Sequence, residues 1–431
     1  MEGRSAITAE AILVERSIVV SGDLLWDGTD HPPVSDGVVV IRGDQVVEAG
    51  PRHRVRVPTG PDVQTLVFSG CTVLPGLIDT HVHLIWPGDG TPAHTFTGNA
   101  SDTALLFTAT RNAHAALCAG VTTLRDLGSR GRVVLDLRDA VNAGLIHGPR
   151  ILASGPPITI SGGHMHYLGG EADTADEVRR IARSHWRMGA DVFKMVLNGG
   201  GTPRTHPWIP AYSQPEIEAA VAEARDHETQ LIVHANSSEA IRRGVMAGVS
   251  AVEHCTFLRG PGDVLFDARL AEEIVHRGVY VGHTLQAGYR SLQRAREQWS
   301  ELSPSERVQW DARQRVLDAQ MNNCAQLLNM GALVVASTDA GWSLNRFGEY
   351  WIGMELLVRA GATPLEALTT GTRIAAKAVG LADKLGTLAP GKIADLTVVG
   401  GDPTTTIADL HNVRAVLRSG RLVAQDNRLC F

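Results

Sequence analysis

Short apolar runs separated by polar turns occupy both ends of the chain, and this alternation predicts β-strands there. Five runs share an apolar, β-branched character: residues 17–25, 37–47, 67–74, 395–399 and 413–423. Because the middle of the chain has a different pattern of apolar and polar residues, we predict one small β-sandwich domain formed from both termini, residues 1–74 and 387–431. Two unrelated hairpins are the alternative that this pattern leaves open.

Between these ends, short apolar runs alternate with longer segments of helical period, which is the pattern of repeated βα units. Eight runs are predicted as buried parallel strands: residues 77–80, 121–124, 150–153, 191–196, 230–234, 250–253, 279–282 and 332–337. We therefore predict an α/β fold, with a (β/α)₈ TIM barrel over residues 75–386 as the catalytic domain. A doubly wound open sheet is the runner-up. It usually has a glycine-rich phosphate loop after its first strand, and none is found there.

Helix boundaries support the same reading. Glycines stand just before five of the predicted strands, where a helix C-cap is expected: Gly120, Gly189, Gly248, Gly278 and Gly331. The capping-box sequences Ser213-x-x-Glu216 and Thr363-x-x-Glu366 predict helix starts.

The composition narrows the functional classes. The chain has 431 residues, 44% of them hydrophobic, and a formal net charge of −6. No basic cluster suggests a nucleic-acid partner, and no apolar run of ~18 residues suggests a membrane span. The first residues lack the apolar core of a signal peptide, and the five cysteines are scattered without a CxxC pair. We therefore expect a cytoplasmic protein with reduced thiols that acts on a small molecule.

Two histidines at one strand end are the first candidates for chemistry. His81-Val82-His83 follows the first strand of the predicted barrel, and residues i and i+2 of a strand project from the same face. Two imidazoles placed in this way can bind one metal ion. The HxH pattern alone is weak, because such histidines are usually solvated or hydrogen-bonded within a core.

Ligand-type residues also accompany four later strands: Lys194, His234, His254 and Asp339. Each has an ordinary alternative, since a strand-end histidine is often hydrogen-bonded and an aspartate there is often a helix N-cap. A lysine within an apolar strand is costly unless it is paired or modified. Together with the HxH pair, these residues predict a site for zinc or a similar divalent ion at one face of the barrel.

This ligand set is large enough for two ions. Paired ions lie ~3.5–4 Å apart and need a bridging anion. An ammonium group repels a metal, so unmodified Lys194 could not bridge, whereas a carbamate formed from Lys194 and carbon dioxide could.

These residues resemble the metal ligands of the amidohydrolase superfamily. Residues 73–83 are similar to its first barrel strand, and residues 386–396 resemble the segment that returns to its small β domain. Four residues match, in order, its ligands on strands four, five, six and eight: Lys194, His234, His254 and Asp339.

The resemblance implies a binuclear centre. The HxH pair and Asp339 would hold one ion, His234 and His254 would hold the other, and carboxylated Lys194 and a hydroxide would bridge them. The hydroxide would attack a carbonyl polarised by a metal. Asp339 would act as general acid–base and pass the proton to the leaving nitrogen. The expected reaction is hydrolysis of an exocyclic C–N bond in an amide, peptide, urea or carbamate.

One branch of the superfamily is most similar, that of prolidase-like and arginine carboxypeptidases, phenylurea hydrolases and ochratoxin-type amidases. The resemblance rests on residues 161–164 and 168–173. In peptidases of this branch the histidine after Gly-Gly contacts the scissile carbonyl, which implies that His164 stabilises an oxyanion. His166 and Tyr167 fall where some of these peptidases have Gly-Asp. This departure argues against a dipeptide substrate and makes both residues candidate substrate contacts.

Specificity is predicted to lie in the glycine-rich loop 199–208, after the fourth strand. Its large side chains are candidate substrate contacts: Arg204, His206 and Trp208. Arg204 suits a substrate carboxylate but is equally compatible with a solvated surface position. Three further candidates follow strands seven and eight: His283, Trp342 and Asn345. A polar loop position is an equally good explanation of the histidine among them.

Two other functions compete. A mononuclear deaminase or cyclic-amide hydrolase of the same superfamily is the first. Such deaminases typically lack the strand-four lysine and have a glutamate three residues after the strand-five histidine, whereas this chain has Lys194 and Ser237. A non-enzymatic scaffold is the second, and the complete ligand set argues against it. Analogy with related barrels also implies a homo-oligomer.

Overall fold

A computed structural model describes residues 17–430 of the chain. The expectations for residues 1–16 and for residue 431, which fall in the predicted small domain, lie outside the described residues. The strands, in chain order, are β1 (Ser17–Leu25), β2 (Val34–Arg42), β3 (Gln45–Pro51), β4 (Val63–Pro75), β5 (Leu77–Val82), β6 (Val121–Asp126), β7 (Arg150–Ala153), β8 (Phe193–Val196), β9 (Leu231–Ser237), β10 (Ala251–Gly260), β11 (Asp263–Val264), β12 (Tyr280–Gly282), β13 (Leu333–Val335), β14 (Leu396–Gly400), β15 (Val413–Arg418), β16 (Arg421–Gln425) and β17 (Arg428–Leu429). The helices, in chain order, are α1 (Ala93–Asn99), α2 (Asp102–Cys118), α3 (Val133–Asn142), α4 (Ala175–Met188), α5 (Gln214–Asp226), α6 (Ser238–Ala247), α7 (Ala268–His276), α8 (Tyr289–Glu297), α9 (Pro304–Asn329), α10 (Tyr350–Arg359), α11 (Pro364–Thr370) and α12 (Arg373–Ala378).

Strands from both ends of the chain form one sheet in the order β17-β16-β15-β14-β4-β1-β2-β3. The two ends meet where β4 pairs with β14 in antiparallel register, so the alternative of two unrelated hairpins is wrong. The run 413–423 is a hairpin, β15 and β16, rather than one strand. Ser419 and Gly420, with φ values of 49° and 72°, turn the chain between them.

The middle of the chain forms two sheets of parallel strands, β5-β6-β7 and β13-β12-β10-β9-β8, with the short β11 added antiparallel to β10. All eight strands predicted for this region are present, which confirms the α/β class. Backbone hydrogen bonds connect the two sheets at both edges. Asp339 N–H donates to the His81 carbonyl at 2.8 Å, and Ile158 N–H donates to the Lys194 carbonyl at 2.8 Å. The candidate ligands at the strand ends are therefore brought to one region.

The helices begin and end where the sequence indicates. Ser213 and Thr363 start α5 and α11 with complete capping boxes. Gly189 and Gly248 end α4 and α6 with φ values of 93° and 91°, a conformation that glycine adopts without strain. Among residues 17–430, none of these helices is both long and apolar enough to cross a membrane.

Candidate metal centre

The HxH histidines converge at the carboxyl end of β5. His81 is the penultimate residue of the strand, and His83 directly follows the strand. Their side chains are 1% and 4% exposed, and their Nε2 atoms lie 3.3 Å apart. The two-residue period of a strand places both rings on the same face.

Asp339 joins these histidines. Its Oδ1 lies 3.4 Å from Nε2 of His83 and 3.7 Å from Nε2 of His81. The N-cap alternative for Asp339 is wrong, because the next helix, α10, begins at Tyr350. Within the part of the chain that the structure describes, these residues form the one group of three His, Cys, Asp or Glu ligand atoms close enough to hold a metal ion.

The other two predicted histidines form a second pair beside the first. The ring centroids of His234 in β9 and His254 in β10 lie 4.4 Å apart, and His254 lies 5.4 Å from His81. Nε2 of His234 lies 3.2 Å from the carbonyl oxygen of Gly199, and Nδ1 of His254 lies 2.9 Å from Oγ1 of Thr284. These contacts fix each ring through one nitrogen and leave the other nitrogen for a metal.

Lys194 lines the same cavity as these ligands. The residue is 1% exposed, and its Nζ has no hydrogen-bond partner among the described residues. Burial is the main reason that its pKa falls to about 8, and the charges of Glu253 and Asp339 oppose that fall. A buried, unpaired ammonium is unfavourable, whereas a neutral amine can react with carbon dioxide. The residues present therefore fit a two-ion centre completed by a lysine carbamate.

A buried ion pair between Arg125 and Glu253 is hydrogen-bonded to His81 of the HxH pair. Nδ1 of His81 donates to Glu253 at 3.0 Å, and the second carboxylate oxygen accepts from Arg125 at 3.3 Å. The side chains of both Arg125 and Glu253 are fully buried. Nδ1 of His83 donates to the Gly128 carbonyl at 3.2 Å. These bonds turn Nε2 of each imidazole towards the candidate metal site.

His164 is oriented by Thr202. The Thr202 backbone N–H donates to Nδ1 of His164 at 3.3 Å, and the Thr202 hydroxyl lies 2.8 Å from the same nitrogen. Because Nδ1 accepts, Nε2 of the neutral ring carries the proton. Burial is the main reason that the pKa of His164 falls to about 3. The ring lines the cavity 4.8 Å from that of His234, so the site has a neutral hydrogen-bond donor beside the predicted ligands.

The cavity over these residues has a volume of about 660 Å³, and Trp208 and Trp342 lie in its wall. Five other candidate substrate contacts are not among its lining residues: His166, Tyr167, Arg204, His206 and His283. Arg204 and His206 line a separate, smaller cleft. Asn345 is buried and donates to the Thr338 carbonyl at 2.6 Å, which holds the segment around Asp339. Substrate contact by these residues stays a prediction.

Comparison with known proteins agrees with this geometry, because the model of the amidohydrolase family matches residues 72–423. The chain belongs to the amidohydrolase family. The ochratoxinase of Aspergillus niger is 26% identical over 383 residues, which covers 80% of this chain and 73% of that protein. An imidazolonepropionase of Symbiobacterium thermophilum is 23% identical over 429 residues and 93% of each chain. The crystal structure of a Xaa-Pro dipeptidase has a TM-score of 0.82 and 27% identity, covering 94% of this chain and 99% of that one. The amidohydrolase is thus a hydrolase that acts on carbon–nitrogen bonds, as the resemblance implies.

The sequence analysis missed several residues of this amidohydrolase site, among them Glu253, Arg313 and Gln320. Glu253 had a usable signal, because a carboxylate inside an apolar strand is as costly as the lysine in β8. Arg313 and Gln320 lie in the cavity wall on α9. Nothing in the sequence of that long helix separates them from its other polar residues.

Replacement Glu253→Gln is expected to weaken metal binding by the amidohydrolase about 10- to 100-fold. The change removes the anionic acceptor that orients His81 and the counter-charge of Arg125. Metal affinity is measured by competition with a chromogenic chelator. Glu272→Gln, at an exposed position of α7, is the matched control. Unchanged affinity in folded Glu253→Gln protein would contradict the supporting role.

Proposed function

We propose that this amidohydrolase is a binuclear, zinc-dependent enzyme that hydrolyses an exocyclic C–N bond of an amide, peptide, urea or carbamate. The proposal depends above all on the buried Nζ of Lys194, which lacks a partner among the described residues and lines one cavity with both ligand groups. The HxH pair and Asp339 would hold one ion, and His234 and His254 would hold the other, with carboxylated Lys194 joining the two. When bound, such ions activate water near neutral pH and polarise a carbonyl.

In this proposal, Asp339 moves the proton. Burial acts to raise the pKa of Asp339, but the hydrogen bond with His83 and the charges of the surrounding histidines outweigh burial and lower it. The carboxylate is therefore ionised. It can accept a proton from the attacking water and deliver that proton to the leaving nitrogen.

In this proposal, His164 stabilises developing charge. Its Nε2–H is fixed as a donor by the two contacts of Thr202 with Nδ1. A donor that is oriented before reaction can stabilise the carbonyl oxygen as negative charge develops on it.

The proposal includes a closed (β/α)₈ barrel over residues 75–386. The backbone hydrogen bonds at both edges of the two parallel sheets support closure, as does the likeness to the Xaa-Pro dipeptidase structure. The sheet from the two termini would complete a β-sandwich domain. A homo-oligomer in the cytoplasm is the expected assembly.

Cyclic-amide hydrolysis is the second candidate, and the similarity to imidazolonepropionase favours it. Its mononuclear form is less compatible with the site. Ser237 starts α6 and its hydroxyl accepts from Ala240 N–H at 3.2 Å. The position three residues after His234 is therefore a helix cap, and Lys194 has no evident use with a single ion.

Metal analysis combined with a substrate panel tests the proposal. We expect close to two zinc ions per chain and hydrolysis of N-acyl amino acids, anilides, aryl ureas or carbamates. Turnover of hydantoins and imidazolones without turnover of any of these would favour the second candidate. A folded, zinc-replete sample that binds no metal would contradict both.

His164→Ala is expected to lower kcat about 10²- to 10³-fold while the metal content stays at the level of the unmodified enzyme. The reason is that the variant loses only the donor to the reacting oxygen. Kinetics on the best substrate of the panel and metal analysis measure the two quantities. Thr202→Val should lower kcat less, since the backbone N–H of residue 202 still orients the ring. A loss of metal equal to the loss of activity would instead give His164 a ligand role.

A further inference from the structure

The cavity over the metal centre continues into a second cavity of about 560 Å³. The two share part of their walls, including Trp342, Arg313 and Gln320. Among the described residues that line the second cavity, Arg313 is the one charged side chain. In the first cavity, Arg313 is likewise the one Lys, Arg, Asp or Glu in the described wall besides Lys194 and Asp339. A substrate that fills both cavities would therefore meet one charged side chain, that of Arg313, in addition to those at the candidate metal centre.

Arg313 is an exposed side chain for which no ion pair or hydrogen bond is found within residues 17–430. Arg290, on the neighbouring helix α8, is by contrast neutralised, because it binds the carboxylate of Glu349 at 2.8 and 3.0 Å. The guanidinium of Arg313 is thus available to an anion from outside the chain.

The helix that presents Arg313 is tied to the metal centre. Nε2 of Gln320 donates to Oγ1 of Thr256 at 2.9 Å, and Thr256 donates to Oδ1 of Asn236 at 2.8 Å. Nδ2 of Asn236 lies 3.0 Å from Nε2 of His234. The two hydrogen bonds fix α9 relative to Asn236, which lies two residues after the predicted zinc ligand His234.

Helix geometry then sets the distance between Arg313 and Gln320. Arg313 and Gln320 are seven residues apart, which is two turns or about 10 Å along the helix axis. Val316, between them, lines both cavities as well, so the three residues follow one face of α9. Arg313 therefore reaches the cavity wall two helical turns before Gln320, the residue through which α9 contacts the segment that contains His234.

We infer that Arg313 is a specificity-determining residue that selects substrates with a carboxylate remote from the scissile C–N bond. A guanidinium binds a carboxylate through two parallel hydrogen bonds, and the apolar side chains of the second cavity would contact the linker between that carboxylate and the amide. The inference rests on the proposed function, because it assigns one end of the substrate of that same site.

Two pairs of probes test the inference. Glutaryl-p-nitroanilide has its carboxylate on the acyl side, and p-acetamidophenylbutanoate has it on the leaving-group side. Each is compared with an analogue in which an isopropyl group replaces the carboxylate. In at least one pair, Arg313→Ala should lower the charged-to-neutral ratio of kcat/KM about tenfold. For a probe that is not turned over, calorimetry measures binding and gives the charged-to-neutral ratio of affinities instead.

Arg315→Ala is the matched control, because Arg315 is also exposed on α9 but lines neither cavity. Arg313→Gln keeps a polar, helix-compatible side chain and should lose the charge preference as Arg313→Ala does. The inference would be overturned if Arg313→Ala had the same charged-to-neutral ratios as the unmodified enzyme in both pairs. Hydrolysis and metal content would be intact in that case. Absence of bound metal together with no hydrolysis of any probe would instead overturn the proposed function.

Discussion

Lys194→Ala should lower kcat/KM by at least ~10³-fold, about 4 kcal/mol of transition-state stabilisation. It should also reduce the metal content from close to two ions per chain to close to one. The physical reason is the number of ligands. Without the carbamate, His234 and His254 supply two protein ligands, fewer than the three or four that hold zinc. Metal analysis of the purified variant and kinetics on the best substrate of the panel measure both effects.

Isotope labelling of the carbamate carbon gives a test that does not depend on activity. Enzyme prepared with ¹³C-bicarbonate should give a carbamate carbon signal that is absent from Lys194→Ala. Lys377→Ala, at an exposed position of α12, should keep the signal, both metals and full activity. Short carboxylic acids should restore part of the activity of Lys194→Ala, because they can supply the missing oxygens. Two bound metals and full activity in folded Lys194→Ala protein would contradict the bridging role.

Much of the fold could be predicted because its signals are local. The apolar runs that form β5 to β10, β12 and β13 are short and are bounded by glycines at helix ends and by capping boxes. The strand period also placed His81 and His83 on one face, as the 3.3 Å approach of their Nε2 atoms shows. Strand ends were less predictable. The predicted strand with His234 continues to Ser237, and the one before His254 continues to Gly260, because pairing between neighbouring strands decides where each ends.

The surroundings of the ligands could not be predicted, because they depend on residues distant in sequence. Glu253 reaches His81 across 172 positions and Arg125 across 128, and no local pattern specifies such a contact. The two arginines proposed for a substrate carboxylate show the same limit. Arg204 lies in a glycine-rich loop and has the stronger sequence argument, whereas Arg313 lies in an ordinary polar helix. The structure places Arg313, and not Arg204, in the wall of the cavity over the metal centre.

Asp339→Asn should lower kcat about 10²- to 10⁴-fold. Asparagine keeps nearly the same shape and one oxygen near His81 and His83, but its amide cannot accept the proton of the attacking water. The hydrogen bond with His83 and the charges of the surrounding histidines outweigh burial and keep the native carboxylate ionised, so the variant loses a group that can accept the proton. Steady-state kinetics with metal-saturated protein measures the effect, and Asp311→Asn, at an exposed position of α9, is the control.

The dependence on leaving group separates proton transfer by Asp339 from a role in holding the metal. A p-nitroaniline leaves readily and needs little protonation, whereas an alkylamine must be protonated as the C–N bond breaks. If Asp339 delivers that proton, Asp339→Asn should impair alkylamide hydrolysis more than p-nitroanilide hydrolysis, with metal content unchanged. An equal loss on both substrates that disappears when excess zinc is added would show that Asp339 acts only as a ligand. The proton would then have to reach the leaving nitrogen from another group in the cavity.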